Sequence, residues 1–160
     1  MGFGSGFGGQ VIEQLTIRPA TFADAQAVAN VFVVARTECF TFLDTVYDLP
    51  FFVGLFGEKI IPKGNVWIAE LDREVVGFVE VIDTELDRIY VLPAWHGKGV
   101  GQILLDKAKE LSPDGLWLWV FQKNAQARRF YEKHGFNLDH KTNGQDNMEK
   151  EPDARYVWRS

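Results

Sequence analysis

The chain has 160 residues, 46% of them hydrophobic and 14% aromatic, which suits one folded domain with a core and excludes a disordered chain. Acidic residues outnumber basic ones 22 to 17, giving a net charge of -5; this argues against a general nucleic-acid binder and favours a cationic or amine-bearing partner. Cys39 is the single cysteine, and no CxxC or His/Cys cluster accompanies it, so neither an internal disulfide nor a bound metal is expected, and a reducing cytoplasm fits.

The Gly-rich start, residues 1–14, reads as a flexible leader without the apolar core of a signal peptide. No apolar run approaches the roughly 20 residues of a membrane helix. LTIRPA (15–20) is a short strand ended by Pro19, and Thr21 caps a helix whose apolar stripe is Ala25, Val28, Ala29, Phe32 and Ala35. ECFTFLDTVYDLPFFVGLF is aromatic-rich and irregular; Pro50 and Gly54 interrupt it, and it reads as helical turns and loop. VWIAEL (66–71), EVVGFVEVI (74–82) and ELDRIYVL (85–92) are strands, and their two short gaps predict an antiparallel meander.

Val100, Ile103, Leu104, Ala108 and Leu111 then mark a helix that stops at SPDG. LWLWVF (116–121) is a continuous apolar run, read as a strand buried on both faces. Asn124 caps a helix that Gly135 ends. Phe136 to Leu138 and RYVW (155–158) are closing strands, joined by the polar loop DHKTNGQDNMEKEPD. The fold class is α/β (α+β): one domain over 15–160, with a mixed, mostly antiparallel central sheet and helices on both faces.

Between strand 85–92 and its following helix stands HGKGVG (96–101). A helix that starts on a Gly-rich turn presents unpaired N–H groups and a positive dipole end, which suits a phosphate; tight packing alone is the alternative. A Walker loop is excluded because no GK pair is followed by Ser or Thr, and a Rossmann fingerprint because Gln102 stands where its last glycine belongs.

HGKGVG matches the coenzyme A loop of the GNAT N-acetyltransferase superfamily, Q/R-x-x-G-x-G/A, except that His96 replaces the first residue. IYVLPAWHGKGVGQILLDKAKE resembles that superfamily's strand, pyrophosphate loop and helix, and QKNAQARRFYEKHGF resembles its next helix. The order of elements from LTIRPA to RYVW agrees, so the resemblance covers residues 15–159 and leaves the variable acceptor region, 36–62, without guidance. The resemblance implies acetyl-CoA as cosubstrate, with its diphosphate on the backbone of His96, Gly97, Lys98, Gly99, Val100, Gly101 and Gln102. It implies further that the main chain of Ile89, Tyr90 and Val91 pairs with the pantetheine arm and polarises the thioester. His96 brings one ring hydrogen bond instead of a forked guanidinium, or is a plain loop histidine.

Asn124 and Tyr131 lie seven residues apart, nearly on one helix face. By resemblance Asn124 holds the pantetheine arm, and Tyr131 protonates the departing thiolate; the alternatives are a simple cap and a core aromatic. Arg128 and Arg129 line solvent or the coenzyme's 3′-phosphate. The acceptor must lose a proton, for which Glu85, Asp87 and Glu80 are the candidate bases, acting directly or through water. Glu149, Glu151 and Asp153 in the polar loop attract the amine. The expectation is direct acetyl transfer to a primary amine of a small molecule, peptide or protein, without nucleic acid or membrane, by a monomer or homodimer. An acyl-CoA sensor or scaffold without turnover is the main alternative, with a nucleotide-binding regulator behind it.

Overall fold

The computed structural model describes residues 14–160, so the expected leader falls outside the described residues except for Gln14. Seven strands form one sheet: β1 (Thr16–Pro19), β2 (Val66–Leu71), β3 (Glu74–Ile82), β4 (Glu85–Val91), β5 (Gly115–Phe121), β6 (Asn137–Lys141) and β7 (Asp153–Arg159). Their order across the sheet is β1-β2-β3-β4-β5-β7-β6. All neighbours are antiparallel except β4 and β5. The meander was legible because two-residue links join its strands. Asp72 and Arg73 both take positive φ, at 50° and 67°, as a tight hairpin with the right twist requires.

Four helices cover the sheet: α1 (Ala25–Cys39), α2 (Leu49–Leu55), α3 (Val100–Leu111) and α4 (Ala125–Lys133). On one face α1, α2 and the turn after α2 bury Val28, Phe32, Phe56, Ile68 and Phe78. On the other, α3 and α4 bury Leu104, Leu105, Leu116, Leu118, Tyr131 and Tyr156.

Three expectations are corrected. Pro50 does not interrupt a helix but starts α2, where its missing N–H costs nothing, and Asp48 caps that helix by accepting from the Phe51 N–H at 3.3 Å. Strand β5 is buried on one face only: Leu116, Leu118 and Val120 are covered, whereas Trp119 is 43% exposed. Helices α1 and α2 pack over the β2–β4 half of the sheet and stop short of it, so tryptophans on an open face disguised the alternation. The closing strands are also longer than predicted, taking Asp139 to Lys141 and Asp153 from the polar loop.

Gly77 on β3 sets how closely α3 approaches. A Cβ there would lie 3.0 Å from Leu104 Cδ1 and 3.0 Å from the Tyr90 carbonyl oxygen. Gly77→Ala is therefore expected to cost about 1–3 kcal/mol by overpacking, read as a lower urea midpoint; an unchanged midpoint would show that α3 has room to shift.

Candidate active site

Strands β4 and β5 meet at one point. Glu85 pairs with Trp117, and the Trp117 N–H donates to the Thr84 carbonyl at 3.0 Å; past this point no pairing joins the two strands, which end at Val91 and Phe121. A bulge accompanies the divergence. Glu80 pairs with Arg88 but Val81 with Leu86, leaving Asp87 as an extra residue that bends β4.

The edge of β4 beyond the bulge has an assignable direction. Leu92 N–H donates to Val76 O at 2.9 Å, so the alternation of an antiparallel ladder turns the backbone groups of Tyr90 toward β3 and those of Ile89 and Val91 toward the gap. Of the three main-chain positions expected at the thioester, Ile89 and Val91 thus face the gap and Tyr90 does not. The Tyr90 side chain instead lies under α1, its ring 5.2 Å from that of Phe32.

After β4, a turn at Pro93–Trp95 leads into the glycine stretch. Gly97 and Gly99 take φ of 74° and 87°, a left-handed backbone that glycine adopts without strain, and Gly99 caps α3. The first helical bond runs from the Ile103 N–H to the Gly99 carbonyl at 3.2 Å, so the N–H groups of Val100, Gly101 and Gln102 have no intrahelical acceptor. Buried Val100 anchors the turn, and Lys98 is exposed. His96 is used differently from the expectation: its N–H donates to Pro93 O at 3.1 Å and its Nε2 to Val91 O at 2.9 Å, so it braces the end of β4. Gly101 is less constrained than its neighbours, since a Cβ there would make ordinary contact with Phe130 at 3.5 Å.

Asn124 does cap α4, its Oδ1 accepting from the Ala127 N–H at 3.2 Å, which leaves its amide NH2 group unused by that cap. Tyr131 is buried between Phe130 and Phe136, and no described hydrogen bond uses its hydroxyl. Burial, and secondarily Tyr90, pushes this phenol far above the usual tyrosine range, so it keeps its proton. Arg128 is tied into the fold by two of its five N–H donors, to Tyr156 Oη at 3.1 Å and to Gln122 O at 3.3 Å.

The three candidate bases separate. Glu80 and Asp87 both hold Arg88, at 2.5 and 2.7 Å. Glu85 has no ion pair among the described residues; partial burial, then the Asp87 carboxylate, raise it above its ordinary value. Burial also raises Glu80 against the pull of Arg88. Cys39 is exposed, and its thiol is pushed up by partial burial and Glu38, the wrong direction for a nucleophile.

Sequence reasoning missed Arg36. Its guanidinium donates to Tyr47, Tyr90 and Glu149 and lies against aromatic rings of α1 and the loop after it. Helical periodicity put position 36 beside the buried stripe, but nothing local foretold partners 54 and 113 residues away.

Residues 62–138 match the model of the acetyltransferase (GNAT) domain. Over that stretch, just under half of the chain, the protein resembles the GNAT family. An uncharacterised N-acetyltransferase of Mycobacterium tuberculosis is 36% identical, covering 49% of this chain and 56% of its own length. The peptidyl-lysine N-acetyltransferase YjaB of Salmonella typhimurium is 35% identical, covering 49% and 54%. The chain thus spans just over half the length of these curated relatives. In fold, the chain is similar to apo YjaB of Escherichia coli, with a TM-score of 0.72 at 22% identity over 90% of this chain and 97% of that one. The PaiA N-acetyltransferase of Thermoplasma acidophilum in complex with coenzyme A gives 0.71 at 18% identity over 91% and 99%. Among the described residues, no helix is long and apolar enough to cross a membrane, and no group of His, Cys, Asp or Glu is placed to hold a metal ion.

Asp153, expected to attract the acceptor, is buried and structural. It accepts from the Thr142 hydroxyl and, at 3.1 Å, from the Asn147 amide, pinning the 142–152 loop. Asp153→Asn is expected to cost about 1–3 kcal/mol and lower the melting temperature. A rise in acceptor KM at unchanged melting temperature would return Asp153 to an electrostatic role.

Proposed function

We propose that the protein is an acetyl-CoA-dependent N-acetyltransferase acting by direct transfer to a primary amine. One juxtaposition carries the reading: an unpaired strand edge at Ile89 and Val91 runs into a turn whose N–H groups at Val100, Gly101 and Gln102 are free. The edge suits an extended amide-bearing arm, and the turn suits a diphosphate, with the dipole of α3 behind it. Gly97 and Gly99 supply the left-handed turn that lets the backbone present these groups.

In the transfer, the amine nitrogen attacks the thioester carbonyl, the carbon–sulfur bond breaks, the ammonium proton leaves to a base, and the sulfur takes up a proton. The inward N–H groups of β4 are donors for the developing oxyanion, a contribution typically worth about 100- to 1000-fold in rate. Tyr131, held protonated and without a hydrogen-bond partner among the described residues, is the proposed acid toward sulfur. Asn124 offers its free amide hydrogens to the arm. Glu85 is the proposed base because Arg88 occupies its two rivals. It stands four residues before Ile89, about 13 Å along an extended strand, and so would act through a chain of several waters. The acceptor class includes small-molecule amines and, supported by the relatives named as peptidyl-lysine acetyltransferases, peptide amines.

Calorimetry with acetyl-CoA and coenzyme A release with an amine panel test the reading; absence of both would remove it. Tyr131→Phe is expected to lower turnover about 100-fold with acetyl-CoA affinity nearly kept, because the phenol acts on a charge that appears only as the thioester breaks. Loss of affinity without loss of turnover per bound enzyme would make Tyr131 a packing residue.

Glu85 must be ionised to act, so the wild-type rate should fall on the acid side with an apparent pKa above the ordinary glutamate value of about 4.3. Glu85→Gln should erase that limb, slow the reaction about 100-fold at neutral pH, and recover as higher pH deprotonates the amine unaided. An unaltered pH–rate profile would exclude Glu85.

A further inference from the structure

A buried cation stands at the open end of the gap, and the transfer chemistry has no use for it. Arg36 reaches from α1 into a group of aromatic rings, its Cζ 4.8 Å from the Phe40 centroid, 5.2 Å from Phe32 and 5.3 Å from Tyr47. Only 11% of its side chain is exposed. Nε donates to Tyr47 Oη at 2.9 Å, and the two terminal nitrogens donate to Tyr90 Oη at 2.7 Å and to Glu149 Oε2 at 3.2 Å. Both phenols are neutral acceptors, so among the described residues Glu149 is the only anion on this guanidinium.

A charge this far from water needs an anion beside it. Glu149 fills that need loosely. It makes a single end-on contact where a guanidinium favours a two-pronged carboxylate, it is 29% exposed, and it comes from the 142–152 loop. Three of five N–H donors are engaged, so capacity for a second carboxylate oxygen remains.

The position of the cation matters as much as its partners. Tyr90 belongs to β4, and the Phe40 and Phe42 rings lie 5.4 and 5.7 Å from that of Phe121, the last residue of β5. Arg36 therefore lies over the open end of the β4/β5 gap, on the face opposite α3. Glu80, Asp87 and Glu85 lie toward the closed end. One end of the cleft is acidic and the other holds a cation, which is the polarity of an acceptor bearing both an ammonium and a carboxylate.

We propose that Arg36 sets acceptor specificity by binding the carboxylate of an amino acid or short peptide, and that Glu149 holds this position until the acceptor displaces it. This rests on the N-acetyltransferase reading above. The aromatic rings keep water from the exchange, so each charge-assisted bond counts for more than it would at the surface.

The test uses the whole chain and acceptor pairs differing by one carboxylate, phenylalanine against phenethylamine and lysine against cadaverine, with coenzyme A release as readout. The wild type should favour the carboxylate-bearing member by about 10- to 100-fold in kcat/KM. Arg36→Met should abolish that preference, and Arg36→Lys should restore part of it through charge without the fork. Glu149→Gln, which leaves Arg36 in place, should lower KM for the carboxylate-bearing member and retain the preference. A wild type without preference, or Glu149→Gln weakening both members alike, would overturn the proposal. Where no acceptor turns over, calorimetry on the coenzyme A-loaded protein decides: N-acetylphenylalanine should bind and N-phenethylacetamide should bind more weakly, and any other result overturns it. Failure to bind acetyl-CoA at all, read by separate calorimetry, would instead remove the enzyme reading beneath it.

Discussion

The structure turns on the single pairing between β4 and β5. A sheet normally satisfies each inner strand on both edges, and an unpaired inner edge is costly unless water or a ligand takes its N–H and C=O groups. Here the pairing stops after Glu85 and Trp117, and the bulge at Asp87 bends β4 as the strands part. His96 occupies one of the freed groups, the Val91 carbonyl. Ile89 and Val91 otherwise present backbone to the gap between β4 and β5.

The two faces of the sheet divide the remaining work. Helix α3 packs through Leu104 and Leu105 against β3, made possible by the missing side chain at Gly77, and this packing holds the helix start beside the end of β4. Helix α4 delivers Asn124 and Tyr131 from the same side. On the opposite face α1 and the turn after α2 pack Phe32 and Phe56 beside Phe78 of β3, with the polar residues Glu80, Arg88 and Arg36 along the margin of that cluster. The groups proposed for coenzyme and those proposed for acceptor thus stand on different faces of the sheet.

Most of the charge that enters these layers is paired. Arg88 bridges Glu80 and Asp87, Arg18 bridges Asp24 and Glu70, and Arg36 draws on Glu149. Among the described residues Glu85, partly buried and without an ion pair, is the exception on β4, which is the reason it is the proposed base. The 142–152 loop gains its order from Asp153, Thr142 and Asn147, which lets an otherwise exposed segment deliver Glu149 to α1.

The sequence by itself determined the elements and their kind, because periodicity, turns and caps are local. The two-residue links Asp72–Arg73 and Asp83–Thr84, the Asn124 cap and the left-handed glycines before α3 each act within a few residues. The glycine turn was readable as an anion site for the same reason, and with the FYEKHGF segment it carried the family resemblance. Tertiary structure alone decided what depends on distant partners. It turned Tyr90's backbone away from the gap, placed His96 on Val91, buried Asp153, left Trp119 uncovered and set Arg36 among rings and a carboxylate from three separate segments. No local pattern specifies which of two strand edges is spent on a neighbour or which anion a buried guanidinium finds; packing and desolvation settle both only when the layers assemble.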